Sequence, residues 1–77
     1  MQGIQRNIAS LNHMAIGEAG TVFEVPDLRL LASLGVRIGK QVKLITRSVA
    51  SGPLVFMVGD RSVVIDRALA ELIKIGR

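Results

Sequence analysis

Short runs of β-branched and aliphatic residues, most of them separated by glycine or proline, dominate this 77-residue chain. Valine and isoleucine supply 17 residues, and both favour strands. The runs cover residues 21–25, 41–47, 54–58, 62–65 and 73–75. Because the chain is too small for a sandwich of two full sheets, these runs predict a small, strongly bent barrel of about five strands. We therefore expect an all-β fold with one or two short helices.

The pair Gly59-Asp60 is the most specific local signal in the chain. A two-residue turn with glycine first typically joins two antiparallel strands, so runs 54–58 and 62–65 should form a hairpin. Between the first two runs, Asp27 is predicted to cap a helix of about two turns that ends at Gly35. Asp66 is predicted to cap a second short helix over residues 67–72.

The length of the chain predicts a single domain, residues 1–77. Its core should span residues 11–75, whereas residues 1–10 form an N-terminal extension whose order the pattern leaves open. No stretch approaches the ~20 apolar residues of a membrane helix, so we expect a cytoplasmic protein. With no cysteine, the chain can form neither a disulfide nor a thiolate metal site.

The charge balance is basic, with ten Lys and Arg against six Asp and Glu and a sequence pI near 10.8. The basic residues are nevertheless dispersed. The closest approach to a patch consists of Arg37, Lys40, Lys43 and Arg47. Single-strand binders also need aromatic side chains on which bases stack, and this chain has only Phe23 and Phe56. We therefore expect no nucleic-acid partner.

Residues that could carry chemistry are few. The glycines form no phosphate-binding loop, and no Ser-His-acid arrangement is evident, so we predict no enzyme and no catalytic residue. His13 is the only histidine. A metal site around it would need Glu18, Asp60, Asp66 or a second chain, yet turn and capping roles already explain the two aspartates. The sequence leaves metal binding open.

The predicted helix before Gly35 carries four leucines, which is more than one helical face needs. Either all four belong to the core, or some of them lie at the rim and form an apolar docking surface. In the second case the candidate partner-binding residues are Leu28, Arg29, Leu30, Leu31 and Leu34.

The run RLLASLGVRIGKQV, residues 29–42, resembles the signature of the ferrous iron transport protein A (FeoA) family. The turn at Gly17-Glu18 and the pair Gly52-Pro53 occur in the family's order, and the resemblance covers residues 11–75. It implies an SH3-like barrel. It also implies an accessory role in Fe²⁺ uptake, in which the protein binds the cytosolic side of ferrous iron transport protein B, a membrane GTPase permease. Such a protein would lie at the inner face of the membrane through its partner.

The chain departs from the family at one pair of positions. Where the family shows Leu-Arg after the hairpin, this chain has Ile65-Asp66, with Arg67 one place later. The alternative interpretation is a free-standing regulatory module that binds a divalent transition metal such as Fe²⁺ and is related to the SH3-like domain of iron-dependent repressors. A homodimer formed by pairing of strand edges is a further expectation.

Overall fold

Six antiparallel strands form one sheet in a computed structural model, which describes residues 8–47 and 52–76. In chain order they are β1 (Ile8–Ser10), β2 (Ala19–Glu24), β3 (Gln41–Arg47), β4 (Leu54–Val58), β5 (Arg61–Ile65) and β6 (Lys74–Gly76). The described residues also form two helices, α1 (Arg29–Leu34) and α2 (Arg67–Leu72), and one 3-10 turn, Leu11–His13. Across the sheet the order is β1-β6-β2-β3-β4-β5.

The predicted strands are all present, with small differences at their ends. β3 and β4 have the predicted bounds, and Gly59, at φ +67°, begins the turn of the predicted hairpin. β1 was not predicted, because it has only three residues and is held by pairing with β6 at the other end of the chain. Residues 8–10 of the predicted extension are therefore strand. Its residues 1–7 lie outside the described residues.

Within the described residues, the sheet encloses one apolar core. The register of the β2–β6 pair shifts between Val22 and Glu24, and that of the β3–β4 pair shifts between Leu44 and Thr46. Such bulges bend a sheet. As predicted, Val42 and Leu44 are buried while Lys43 faces solvent. The buried apolar side chains are Leu11, Met14, Val22, Leu31, Val36, Val42, Leu44, Leu54, Phe56, Val58, Val63, Ile65, Ala70, Ile73 and Ile75.

Helix α1 begins one residue later than predicted. The amide of Leu28 donates to the carbonyl oxygen of Pro26 at 2.8 Å, which closes a tight turn around Asp27. Leu28 is therefore the N-cap, and no side chain caps the helix. The prediction that Asp27 is the N-cap was wrong, because the chain has not yet entered the helix at that residue.

Helix α2 is capped as predicted. Asp66 Oδ1 accepts a hydrogen bond from the Leu69 amide at 2.8 Å. A negative charge at this place also interacts favourably with the positive end of the helix dipole. The helix packs against the 3-10 turn and β1. The aspartate that departs from the family pattern thus has a local structural role.

Arg47, at the end of β3, ties that strand to the segment that follows β1. Its Nη2 donates to the carbonyl oxygens of Met14 and, at 3.2 Å, of Asn12. The two accepting carbonyls lie far from Arg47 in the sequence, so these bonds close a long loop. The planar guanidinium can serve both acceptors at once, whereas a lysine ammonium lacks this fixed geometry.

We expect Arg47→Lys to lower the free energy of unfolding by about 1–2 kcal/mol, because at least one charge-assisted hydrogen bond is weakened. Urea unfolding followed by circular dichroism measures this loss. Arg61→Lys makes the same change at an exposed arginine of β5 and should leave stability nearly unchanged. Equal stability of the two variants would contradict the role given to Arg47.

Gly20 allows β2 and β6 to approach each other closely. A Cβ atom at this buried position would lie 2.7 Å from Ile75 Cδ1 and 3.2 Å from the carbonyl oxygen of Gly76. The isoleucine side chain could move, but the carbonyl belongs to the sheet backbone. Position 20 therefore has no room for a side chain.

Gly20→Ala should destabilise the fold by about 1–3 kcal/mol, the usual cost of overpacking. Gly76→Ala is the matched control, because a Cβ at that position meets no atom within 4 Å. Thermal unfolding of the two variants tests the difference. A Gly20→Ala protein as stable as the control would show that β6 can shift away freely.

Candidate functional site

Helix α1 exposes part of its leucine set. Leu28 is 43% exposed and Leu30 58%, whereas Leu31 is 1% exposed. Leu34 is half-buried and packs against the core. The alternative in which all four leucines belong to the core is therefore wrong, whereas the alternative in which some of them lie at the rim holds for Leu28 and Leu30. Leu31 is a core residue and was wrongly included among the candidate docking residues.

The end of α1 is held firmly, which fixes its orientation. Gly35 adopts the left-handed conformation at φ +85° and donates to the Ala32 carbonyl oxygen at 3.1 Å. The next amide, of Val36, donates to the Leu31 carbonyl oxygen at 2.9 Å, which completes a Schellman motif. The side chains of Leu31 and Val36 are both buried in the core. Because this face is anchored, Leu30 is turned towards solvent.

The exposed part of the helix, which we call the α1 patch, consists of Leu28, Arg29 and Leu30. All three side chains are exposed, so the start of the helix presents two apolar side chains and a guanidinium to solvent. An apolar surface with a cation beside it can bind an apolar segment that carries a carboxylate.

Two further exposed apolar residues lie at neighbouring elements, and sequence reasoning missed them. Phe23 is 45% exposed on β2, and Ile38 is 67% exposed in the turn before β3. The turn is held to β2, since the Gly39 amide donates to the Val22 carbonyl oxygen at 2.9 Å. Consecutive residues of a strand point to opposite faces, so Phe23 lies on the face away from the buried Val22. This alternation in the first predicted strand could have identified Phe23 as exposed.

The four candidate metal ligands lie on separate elements. His13 is exposed on the 3-10 turn, and Asp60 lies in the hairpin turn. Glu18 Oε1 accepts from the Ala15 amide at 2.8 Å, and Asp66 caps α2. Within residues 8–47 and 52–76, no group of three or more histidine, cysteine or acidic residues could hold a metal ion.

Not all four of the basic residues noted in the sequence are available at the surface. Arg47 is half-buried and bonded to backbone carbonyls, so it is withdrawn from the surface. The other three, Arg37, Lys40 and Lys43, are exposed. Lys43 faces outward from β3, whereas Arg37 and Lys40 precede that strand.

None of the helices in the described part of the chain has the length and apolar character needed to cross a membrane. β1 and β5 are the outermost strands of the described sheet. Pairing of such edges between two copies stays a prediction.

Solved structures with the same fold include iron-uptake and metal-regulation proteins. The crystal structure of an iron uptake regulatory protein (FeoA) aligns over 90% of this chain and 94% of its own, at 24% identity and a TM-score of 0.80. An FeoA-like protein from Clostridium acetobutylicum aligns over 94% and 87%, at 17% identity and a TM-score of 0.78.

A manganese-dependent transcriptional repressor aligns over 97% of this chain at 21% identity and a TM-score of 0.84. The chain spans only 44% of that repressor's length. At these identities the likenesses establish the fold, and they confirm the SH3-like barrel expected from the sequence. No significant match is found among curated proteins.

The comparison with family models concerns nearly the whole chain. Residues 9–77 match the model of the FeoA domain. This range contains every helix and nearly every strand residue described above, and it agrees with the resemblance found in residues 11–75. The chain therefore belongs to the FeoA domain family.

Proposed function

We propose that this protein is a non-enzymatic accessory of ferrous iron uptake that binds ferrous iron transport protein B on its cytosolic side. In this role Fe²⁺ is the cargo of the permease. Membership of the FeoA family supports the proposal, as does the similarity to an iron uptake regulatory protein. The docking surface is the α1 patch of Leu28, Arg29 and Leu30.

The observation that carries the proposal is the exposure of Leu30. Its neighbour Leu31 is buried, so the helix cannot rotate to hide Leu30 without removing Leu31 from the core. Complete burial of a leucine side chain contributes ~1.5–3 kcal/mol, so covering a half-exposed leucine yields about half as much. A partner that covers both exposed leucines of the α1 patch gains about half of the full burial free energy for each of them.

The size of the α1 patch favours a transient complex. Three residues are far fewer than the roughly 20–30 residues that each partner contributes to a standard interface. Arg29 supplies a fork of donors that can pair with a carboxylate, which adds orientation to the apolar contact. Such an accessory could bind and leave a permease during its working cycle.

Leu30→Glu should abolish retention of the protein by the immobilised cytosolic domain of the permease, because docking would then bury a carboxylate among apolar groups. Val64→Glu is the matched control. Val64 is 61% exposed on β5, so the control makes the same substitution at a similarly exposed apolar residue outside the α1 patch. If Leu30→Glu is retained as well as the control, the α1 patch is not the docking surface.

The two neighbouring leucines of α1 should differ in their effect on stability. Leu31→Ala should cost about 2–5 kcal/mol of unfolding free energy, because it leaves a cavity in the core. Leu30→Ala should cost less than about 1 kcal/mol, since its side chain is largely in water. Chemical denaturation of both variants measures the contrast. Similar losses would mean that Leu30 is needed for folding and that its exposure does not mark a docking residue.

A further inference from the structure

A hollow of about 220 Å³ lies where β2, β3 and β4 run side by side. Its lining residues are Ala19, Gln41, Val42, Lys43, Met57 and Gly59. The register of the sheet places three of them in one row, because Lys43 is opposite Ala19 on β2 and opposite Met57 on β4. The hollow thus opens on the outer face of the sheet, and it shares no residue with the α1 patch.

The lining combines apolar groups with positive charge. Ala19 and Met57 supply aliphatic and thioether surface, while Lys43 and Gln41 supply an ammonium and an amide; the Val42 side chain is buried in the core on the other face of the sheet. A second ammonium lies at Gly59. Lys40 Nζ is 3.7 Å from the place where a Cβ on that glycine would be, so the ammonium lies within contact distance of a residue that lines the hollow.

Among the residues that line the hollow, the only formal charge is positive. None of the lining residues is acidic. Within residues 8–47 and 52–76, neither Lys40 nor Lys43 forms a salt bridge with a carboxylate. Two ammonium groups beside one concave apolar surface therefore present a field that favours an anion with an apolar neighbour.

We propose that this hollow binds a glutamate or aspartate side chain of an acidic peptide segment in a partner protein. The carboxylate pairs with Lys40 and Lys43, and an adjacent apolar side chain of the peptide contacts Met57. The hollow is smaller than the ~300 Å³ at which pockets for drug-sized ligands begin, so it suits one side chain. No aromatic residue lines it, which disfavours a stacked nucleic-acid base.

The test is a titration of the full-length protein with a blocked tetrapeptide of alternating glutamate and leucine, followed by amide chemical shifts. The same peptide with glutamine in place of glutamate controls for the apolar contact, and inorganic phosphate controls for charge alone. We expect saturable shifts at the amides that line the hollow with the glutamate peptide only. Equal shifts with the glutamine peptide or with phosphate would overturn the proposal.

Variants localise the binding. Lys43→Gln should weaken binding of the acidic peptide about fivefold. This is the effect of losing one partly exposed charged pair that contributes ~1 kcal/mol. Lys74→Gln removes the same charge from β6, where its Nζ donates to the Glu71 carbonyl oxygen, and should leave affinity unchanged. If the two variants weaken binding equally, the peptide responds to net charge and the hollow is not its site.

Leu30→Glu separates this inference from the proposed function. That variant should still bind the acidic peptide at the hollow while it loses the permease domain. Retention of the permease by Leu30→Glu, together with normal peptide binding, would overturn the α1 docking surface alone. Loss of peptide binding in the folded Leu30→Glu protein would show that the peptide occupies the α1 patch, and it would overturn the hollow.

Discussion

The pairing of β6 with both β1 and β2 is the interaction on which the rest of the sheet depends. β6 has only three residues, yet it lies between the two strands. Ile73, just before it, and Ile75, at its centre, are fully buried. The Ile73 carbonyl oxygen also accepts from the Leu11 amide at 2.9 Å, which begins the 3-10 turn. Because Gly20 has no side chain, Ile75 can lie against β2. One short strand thus links the sheet, the core and the segment that carries His13.

The exposed leucines of α1 follow from the small size of the core. A helix of six residues has one face that can reach the interior, and here Leu31 and Leu34 occupy it. The Schellman motif at Gly35 then fixes the helix by its end. Leu28 and Leu30 remain exposed because only the face that carries Leu31 and Leu34 packs against the core. The surface proposed for docking is therefore a consequence of how the domain is packed.

Local signals predicted most of the fold, and long-range contacts account for the differences. The bounds of β3 and β4, the Gly59-Asp60 hairpin and the Asp66 cap depend on residues close together in sequence. β1 depends on a partner at the far end of the chain, and the bonds of Arg47 on carbonyls of a distant turn.

The candidate surfaces were predicted less completely than the fold. Leucine spacing identified α1 as amphipathic, but it could not decide which leucine faces the core, because that depends on where the helix meets the sheet. The hollow was not predicted, since it depends on the register between three strands. The basic residues around it were recognised only as a dispersed set.

The pairing of Ile8 with Gly76 joins the two ends of the described chain in one ladder. A contact of this kind closes a very long loop. The chain loses conformational entropy when the loop closes, before the new hydrogen bonds can stabilise it. The amino-terminal strand cannot find its partner until the last strand is available, so the sheet is completed only when the whole domain has been synthesised.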